Sequence, residues 1–230
     1  MKYTISELKK IQYEISERVY IPSNRKELND FHFIVGIDLA FIGNLGIACF
    51  AIFNTQNLNF SYMHETSPIE FPYIPSFLAF RELPLINKIY KKIRIDVDKT
   101  LFFIDGHGLS HPRKAGIATH FGVQNNTTSI GIAKKLLFGN YQNPRFIKDS
   151  ETHYCKVLDH QMNPISIALK TSYLNRNSIM GTKILYISVG NNINLENSFE
   201  LFLQVYKRYK FIPTELAHNH LQKIKKELKK

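Results

Sequence analysis

The sequence predicts an α/β fold: a mixed central sheet, three antiparallel strands followed by parallel strands, flanked by helices on both faces. Three observations carry this. Apolar runs at 33–40 (FIVGIDLA), 45–53 (LGIACFAIF) and 57–63 (NLNFSYM) are joined by the turn-forming FIGN and by NTQ. Connections that short can join only antiparallel neighbours, because a parallel crossover needs a dozen or more residues. Later apolar runs, one ending at Asp105, one at 127–132 and one at 183–189 (KILYISV), alternate with helix-like stretches, which adds α/β units to the first three strands. A chain of 230 residues can bury the core such a fold needs, and residues 1–230 are read as a single domain.

The elements follow in order. Ile5, Leu8, Ile11, Ile15 and Val19 recur at helical spacing over residues 4–19, with Thr4 and Glu7 placed to form a capping box. The three strands come next. Ser76 to about Arg94 is helix-like, although Pro84 should kink or divide it. After the strand ending at Asp105 the middle of the chain is rich in loop residues, and the strand at 127–132 is expected to run into a helix near Lys134. LENSFELFLQVYKRY reads as a helix. Pro213 or Thr214 opens a last helix, in which Ala217, Leu221, Ile224 and Leu228 form one stripe. The lysine-rich tail after His220 reads as a solvated helix face.

Composition narrows the function. Lys and Arg number 30 against 19 Asp and Glu, a formal charge of +11, which favours a polyanionic partner through Coulomb attraction and counterion release. Cys49 and Cys155 are far apart and form no Cys-x-x-Cys pair, so neither a disulfide framework nor a thiolate zinc site is expected. The N-terminal MKYTISELKK carries charges where a signal peptide needs apolar residues, and no apolar run approaches a membrane span. A soluble cytoplasmic protein with no membrane association and no obligate protein partner is the expectation.

Asp38 and Asp105 each close an apolar strand reading, FIVGID and LFFID. If those strands are parallel neighbours, both carboxylates emerge at one sheet edge, where ligands of open α/β sheets gather. They would repel each other there unless a cation lay between them. Hard oxygen ligands open to water suit Mg²⁺ or Mn²⁺, with substrate phosphate completing the shell. Position alone fits a turn-forming Asp equally well.

VGIDLAF (35–41), PYIPSFLAFRELP (72–84), DGHGLSHPRKAGIATHFG (105–122), SIGIAKKLLFG (129–139), ISVGNNINLENS (187–198) and PTELAHNH (213–220) resemble, in order and spacing, the motifs of the endonuclease V family. The resemblance implies a ribonuclease H-like fold. It also implies an endonuclease that uses Mg²⁺, with Mn²⁺ able to substitute, to hydrolyse the second phosphodiester bond 3′ to deoxyinosine in DNA and so initiate repair. Some relatives prefer inosine in RNA. By the same resemblance the catalytic and metal-binding set is Asp38, Glu82, Asp105 and His218, with Lys134 near the scissile phosphate. Tyr73, between prolines, would be a wedge that fills the space left by an extruded nucleotide. Backbone groups at Ser76, Leu78, Gly106 and Ile117 would hold the base, with His111 beside it and the adjoining phosphate. Without the resemblance His218 is a surface helix histidine, Lys134 a helix-start lysine and Tyr73 a loop anchor. His107, His111 and His120 do not make a zinc site on this reading, because Gly106, Gly108 and Pro112 prevent the helix that an i, i+4 ligand pair needs.

The sequence departs from the family pattern at Ser76, where glycine is usual, at His107 for Gln, at Thr128 for Pro and at Lys170 for Arg. Two rival readings follow: an endoribonuclease specific for inosine in single-stranded RNA, and a non-cleaving lesion-binding module. Three converging carboxylates, which repel phosphate, speak against the second.

Overall fold

The computed structural model describes residues 3–142, 147–148, 153–174 and 183–228. Its elements are α1 (Ile5–Glu17), β1 (Phe33–Ile42), β2 (Leu45–Asn54), β3 (Phe60–Pro68), α2 (Leu78–Tyr90), β4 (Thr100–Asp105), α3 (Ile117–Asn125), β5 (Thr128–Ala133), β6 (Asn140–Tyr141), β7 (Ile147–Lys148), β8 (His153–Leu158), β9 (Pro164–Lys170), β10 (Ile184–Asn191), α4 (Leu195–Tyr209) and α5 (Pro213–Glu227). The strands form one sheet in the order β3-β2-β1-β4-β5-β10-β9-β8-β6, with β7 on β8. The hairpins β1–β2 and β2–β3 are antiparallel, β1, β4 and β5 are parallel, and β10, β9 and β8 return to antiparallel pairing.

Alternation along the central strands divides the core into two faces. Ile34, Leu101 and Phe103 pack with Phe199, Phe202 and Val205 of α4, while Val35, Phe102 and Ile104 pack with Leu83 and Ile86 of α2 and with Phe121 of α3. α5 joins the α4 side, laying Ala217, Leu221 and Ile224 on Ala40, Ile47 and Cys49. α1 covers α3 through Ile15, Ala115 and Val123. Helices therefore cover both faces. Among the described residues no helix is long and apolar enough to cross a membrane, and both cysteines are buried thiols outside any disulfide.

Several boundaries differ from the sequence reading for identifiable reasons. The third strand starts at Phe60, because Asn54 and Asn57 accept backbone N–H bonds from Gln56, Asn57 and Asn59 and fold the preceding residues into a turn. α2 runs unbroken through Pro84, which is exposed and gives up only the bond to the Phe80 carbonyl. No helix follows Lys134; the chain there takes bends with Leu136 and Leu137 exposed, so a helix would have had no apolar face to bury. The expected loop after Asp105 contains α3, and the β8–β9 hairpin extends the sheet beyond β10. Leu228 caps α5 and is exposed rather than part of its stripe.

Candidate active site

The parallel register of β1 and β4 runs from Phe33↔Thr100 to Ile37↔Ile104, so Asp38 and Asp105 are the next residues on adjacent strands. Asp38 does not end its strand: β1 continues to Ile42 against β2. Asp38 stands instead where the parallel pairing stops, close enough to Asp105 that, on top of burial, its charge raises that carboxyl. Each is also held from outside the pair. Asp38 accepts from the Leu39 amide at 2.7 Å and from His218 Nδ1 at 2.9 Å. Lys134, just beyond β5, places its Nζ 2.5 Å from Asp105 Oδ2.

His218 reaches Asp38 because α5 lies unusually close to β1. A Cβ on Gly36 would sit 1.8 Å from the Pro213 carbonyl oxygen, so only glycine allows the start of α5 to rest there. Since a carboxylate oxygen only accepts, His218 donates through Nδ1–H, which leaves Nε2 as its acceptor. The Gln222 amide lies 3.3 Å from that Nε2.

Glu82 on α2 completes the acidic group. Burial, followed by the charges of Asp38 and Asp105, pushes its carboxyl up to about 8 against the pull of Arg81. Asp105 is raised to about 7, by burial first and then by Asp38, although Lys134 opposes the shift. Carboxyls that hold protons this far above their usual range mark a place where negative charge is crowded and a cation is favoured. The donors are hard oxygens with one imidazole, a set suited to Mg²⁺ or Mn²⁺. Among the described residues no three His, Cys, Asp or Glu side chains stand as a preformed metal cage; Lys134 and His218 each engage a carboxylate oxygen instead.

A second group of residues gathers beside this cluster. Ile74-Pro75-Ser76-Phe77 is a tight turn closed by the Phe77 amide on the Ile74 carbonyl at 3.0 Å. Pro at its second position and φ +64° at Ser76 give it type II character, which explains why glycine suits that site. A left-handed backbone costs an L-residue about 1–2 kcal/mol. The Ser76 hydroxyl offsets it by accepting from Arg113 NH2 at 2.6 Å. Tyr73, just before the turn, is 68% exposed. Leu78 and Ile117 are the first residues of α2 and α3, where backbone N–H groups have no intrahelical partner. Gly106, at φ +142°, lies so close to Ile117 that a Cβ would meet its side chain at 2.5 Å. His111 is buried and bonds the Ser76 carbonyl through Nε2 at 2.9 Å. His107 instead contacts the Lys135 carbonyl, and His120 meets the edge of Phe80. The three histidines thus serve separate partners.

Comparison with known proteins now decides the family. The family profile described as Endonuclease V matches residues 14–219. The Endonuclease V of Thermosipho melanesiensis is 38% identical over 218 residues, 94% of this chain and 89% of the relative. The chain belongs to the endonuclease V family. The Bacillus subtilis Endonuclease V structure superposes with a TM-score of 0.83 at 24% identity, covering 99% of this chain and 94% of the other. A Ciona intestinalis Endonuclease V, crystallised with a 23mer DNA containing an inosine followed by a ribo-adenosine, superposes with 0.79 at 20% identity, covering 99% of each chain. The fold is ribonuclease H-like, with the mixed sheet described above. Ser76 and His107 both lie in the second group, while Thr128 is buried and accepts from Asn192 Nδ2 at 3.1 Å.

Sequence reasoning missed Gln12 and Arg113. Gln12 is fully buried between Leu8 and Ile15 on α1. A polar residue at an i+4 position within an apolar stripe was the available signal.

Proposed function

We propose that this chain is a divalent-metal-dependent endonuclease that recognises deoxyinosine in DNA and hydrolyses the second phosphodiester bond on its 3′ side. The observation that carries the reading is the meeting of Asp38 and Asp105 at the end of the β1–β4 parallel pairing, with Glu82, His218 and Lys134 around them. Asp38, Asp105, Glu82 and His218 would hold Mg²⁺ or Mn²⁺, which when bound lowers the pKa of the attacking water and stabilises the leaving 3′-oxygen.

The remaining work falls to the chain itself. Lys134 neutralises Asp105 in the ligand-free protein and carries a point charge suited to the crowded phosphate of the transition state. His218, held by Asp38, keeps Nε2 as a base or ligand. Tyr73 fills the gap left by the extruded nucleotide. The backbone N–H groups of Leu78 and Ile117 at the starts of α2 and α3, with the glycine backbone at Gly106, would give a small polar lining for the base. The +11 charge draws the polymer in. A relative crystallised on inosine-containing DNA supports this choice of substrate.

End-labelled oligonucleotides carrying one inosine, in DNA and RNA versions, test the reading with Mg²⁺, Mn²⁺ or EDTA. One nick beyond the inosine is expected, absent with EDTA and absent in Asp38→Ala and Asp105→Ala chains that still bind. Preferential cutting of the RNA would reassign the polymer and keep the chemistry. Binding without any metal-dependent product would make the chain a lesion-binding module.

A further inference from the structure

We propose that Gln12, on the first helix, is a positioning residue for Tyr73: with Arg113 it presets the turn that carries the wedge, so that base extrusion from a duplex depends on α1. The proposal rests on the inosine-nuclease reading and extends it to a residue lying before the stretch matched by the family profile, residues 14–219.

The hydrogen bonds around Gln12 have only one self-consistent assignment. Its Nε2 donates to the Ser76 carbonyl at 2.8 Å, and its Oε1 accepts from Arg113 Nε at 2.5 Å. A carbonyl can only accept and a guanidinium can only donate, so the amide cannot be flipped. His111 must likewise donate through Nε2, which leaves Nδ1 to accept from the backbone amides of Arg113 and Ala115. Arg113 NH2 adds a third donor to the Ser76 carbonyl at 3.1 Å, and its guanidinium lies over the Phe77 ring at 4.6 Å. The Ser76–Phe77 peptide is therefore held at both ends, its carbonyl by Gln12, His111 and Arg113 and its N–H by Ile74.

Tyr73 gains from this arrangement. Its ring is largely exposed, so packing does little to aim it and the rigid turn behind it does more. A residue that serves only the core would be better apolar at a fully buried site between Leu8 and Ile15, since a buried amide is favourable only when its partners are in place. Gln12 has both partners, and both belong to the loops beside the candidate base pocket.

The test is single-turnover cleavage of inosine-containing duplex and single-stranded DNA by the full chain, in wild-type and Tyr73→Ala backgrounds, with thermal melts alongside. Gln12→Met fills similar volume and keeps helix propensity while removing both hydrogen bonds. It should lose roughly tenfold or more on duplex and less than about twofold on single strands, with no further loss when combined with Tyr73→Ala. Equal losses on both substrates, losses that multiply in the Tyr73→Ala background, or no loss at all would overturn the proposal. If Gln12→Met does not fold, Arg113→Lys decides by the same outcomes, because lysine lacks the fork that spans Gln12 and Ser76. A wild-type chain that leaves inosine DNA uncut would instead overturn the proposed function itself.

Discussion

Ser76 shows how one residue balances two opposed terms. Its left-handed φ of +64° favours glycine, yet its hydroxyl bonds the Arg113 guanidinium. A left-handed L-residue costs about 1–2 kcal/mol, and a hydrogen bond to a charged group contributes about 1.5–3 kcal/mol, so the two nearly cancel. Ser76→Gly should therefore change stability by less than about 1 kcal/mol. Ser76→Ala keeps the strained Cβ and loses the hydroxyl, and should be the less stable of the two by about 1 kcal/mol or more. Urea unfolding of both variants checks this order, and Ala equal to or above Gly would contradict it. Lys134 gives a second prediction at this scale. Lys134→Met should lower kcat by roughly 10²–10³-fold with a smaller change in KM, measured by steady-state cleavage of an inosine oligonucleotide; a pure rise in KM would place the lysine in ground-state binding instead.

Between elements, the decisive contact is the approach of α5 to β1 over Gly36. Gly36→Ala would drive a methyl group into the Pro213 carbonyl, 1.8 Å away, and so lift His218 from Asp38. The variant should lose about 1–3 kcal/mol of stability, and if the site depends on that approach it should lose more activity than the melt explains. Crystallography of Gly36→Ala with the His218–Asp38 bond intact at 2.9 Å would contradict the placement. Gly36 and Pro213 are 177 residues apart in numbering, and nothing in either local sequence reveals their contact. What was legible is more regular. The capping box of Thr4 and Glu7 is present as read, and LENSFELFLQVYKRY is α4 from first residue to last, because both carry local amphipathic or capping patterns. α3 was hidden for the opposite reason: Ile117 to Val123 are all buried, and a helix with no solvent face shows no 3.6-residue contrast. The β8–β9 hairpin had a partial alternating signal in HYCKVL and PISIALK, and its turn is marked only by Asp159, which accepts from the Gln161 and Asn163 amides, and by Asn163-Pro164. Asp38 and Asp105 were legible as a possible pair because each follows an apolar run; the parallel register that joins them was an inference from topology.

Across the whole molecule, two sets of partly or wholly desolvated groups pull stability in opposite directions with pH. Burial pushes His107, His111 and His120 down to about 4 from 6.5. Their neutral forms favour the fold above 6.5, and that contribution is lost as the pH falls toward 4. Glu82 and Asp105 are raised from 4.5 and 3.8 to about 8 and about 7. Their contribution is complete below about pH 4 and lost as the pH rises to about 8. With three histidines against two carboxyls, the metal-free chain should be most stable near pH 6.5, the slope changing sign there. If these carboxylates hold Mg²⁺, the ion should remove the alkaline loss, and its stabilisation should then be larger at pH 8 than at pH 5.5. Thermal melts across that range, with Mg²⁺ and with EDTA, measure both curves; an Mg²⁺ increment independent of pH would show that the ion does not replace protons on these groups.

Binding of Mn²⁺ to the DNA-free chain, followed by calorimetry or by the loss of its free-ion paramagnetic resonance signal, tests directly whether Asp38 and Asp105 share an ion. If Asp38 and Asp105 hold one ion between them, Asp38→Asn and Asp105→Asn should each weaken binding at least tenfold, and the double variant should be little worse than either single one. Either single variant binding Mn²⁺ as tightly as the wild-type chain would contradict a shared ion site.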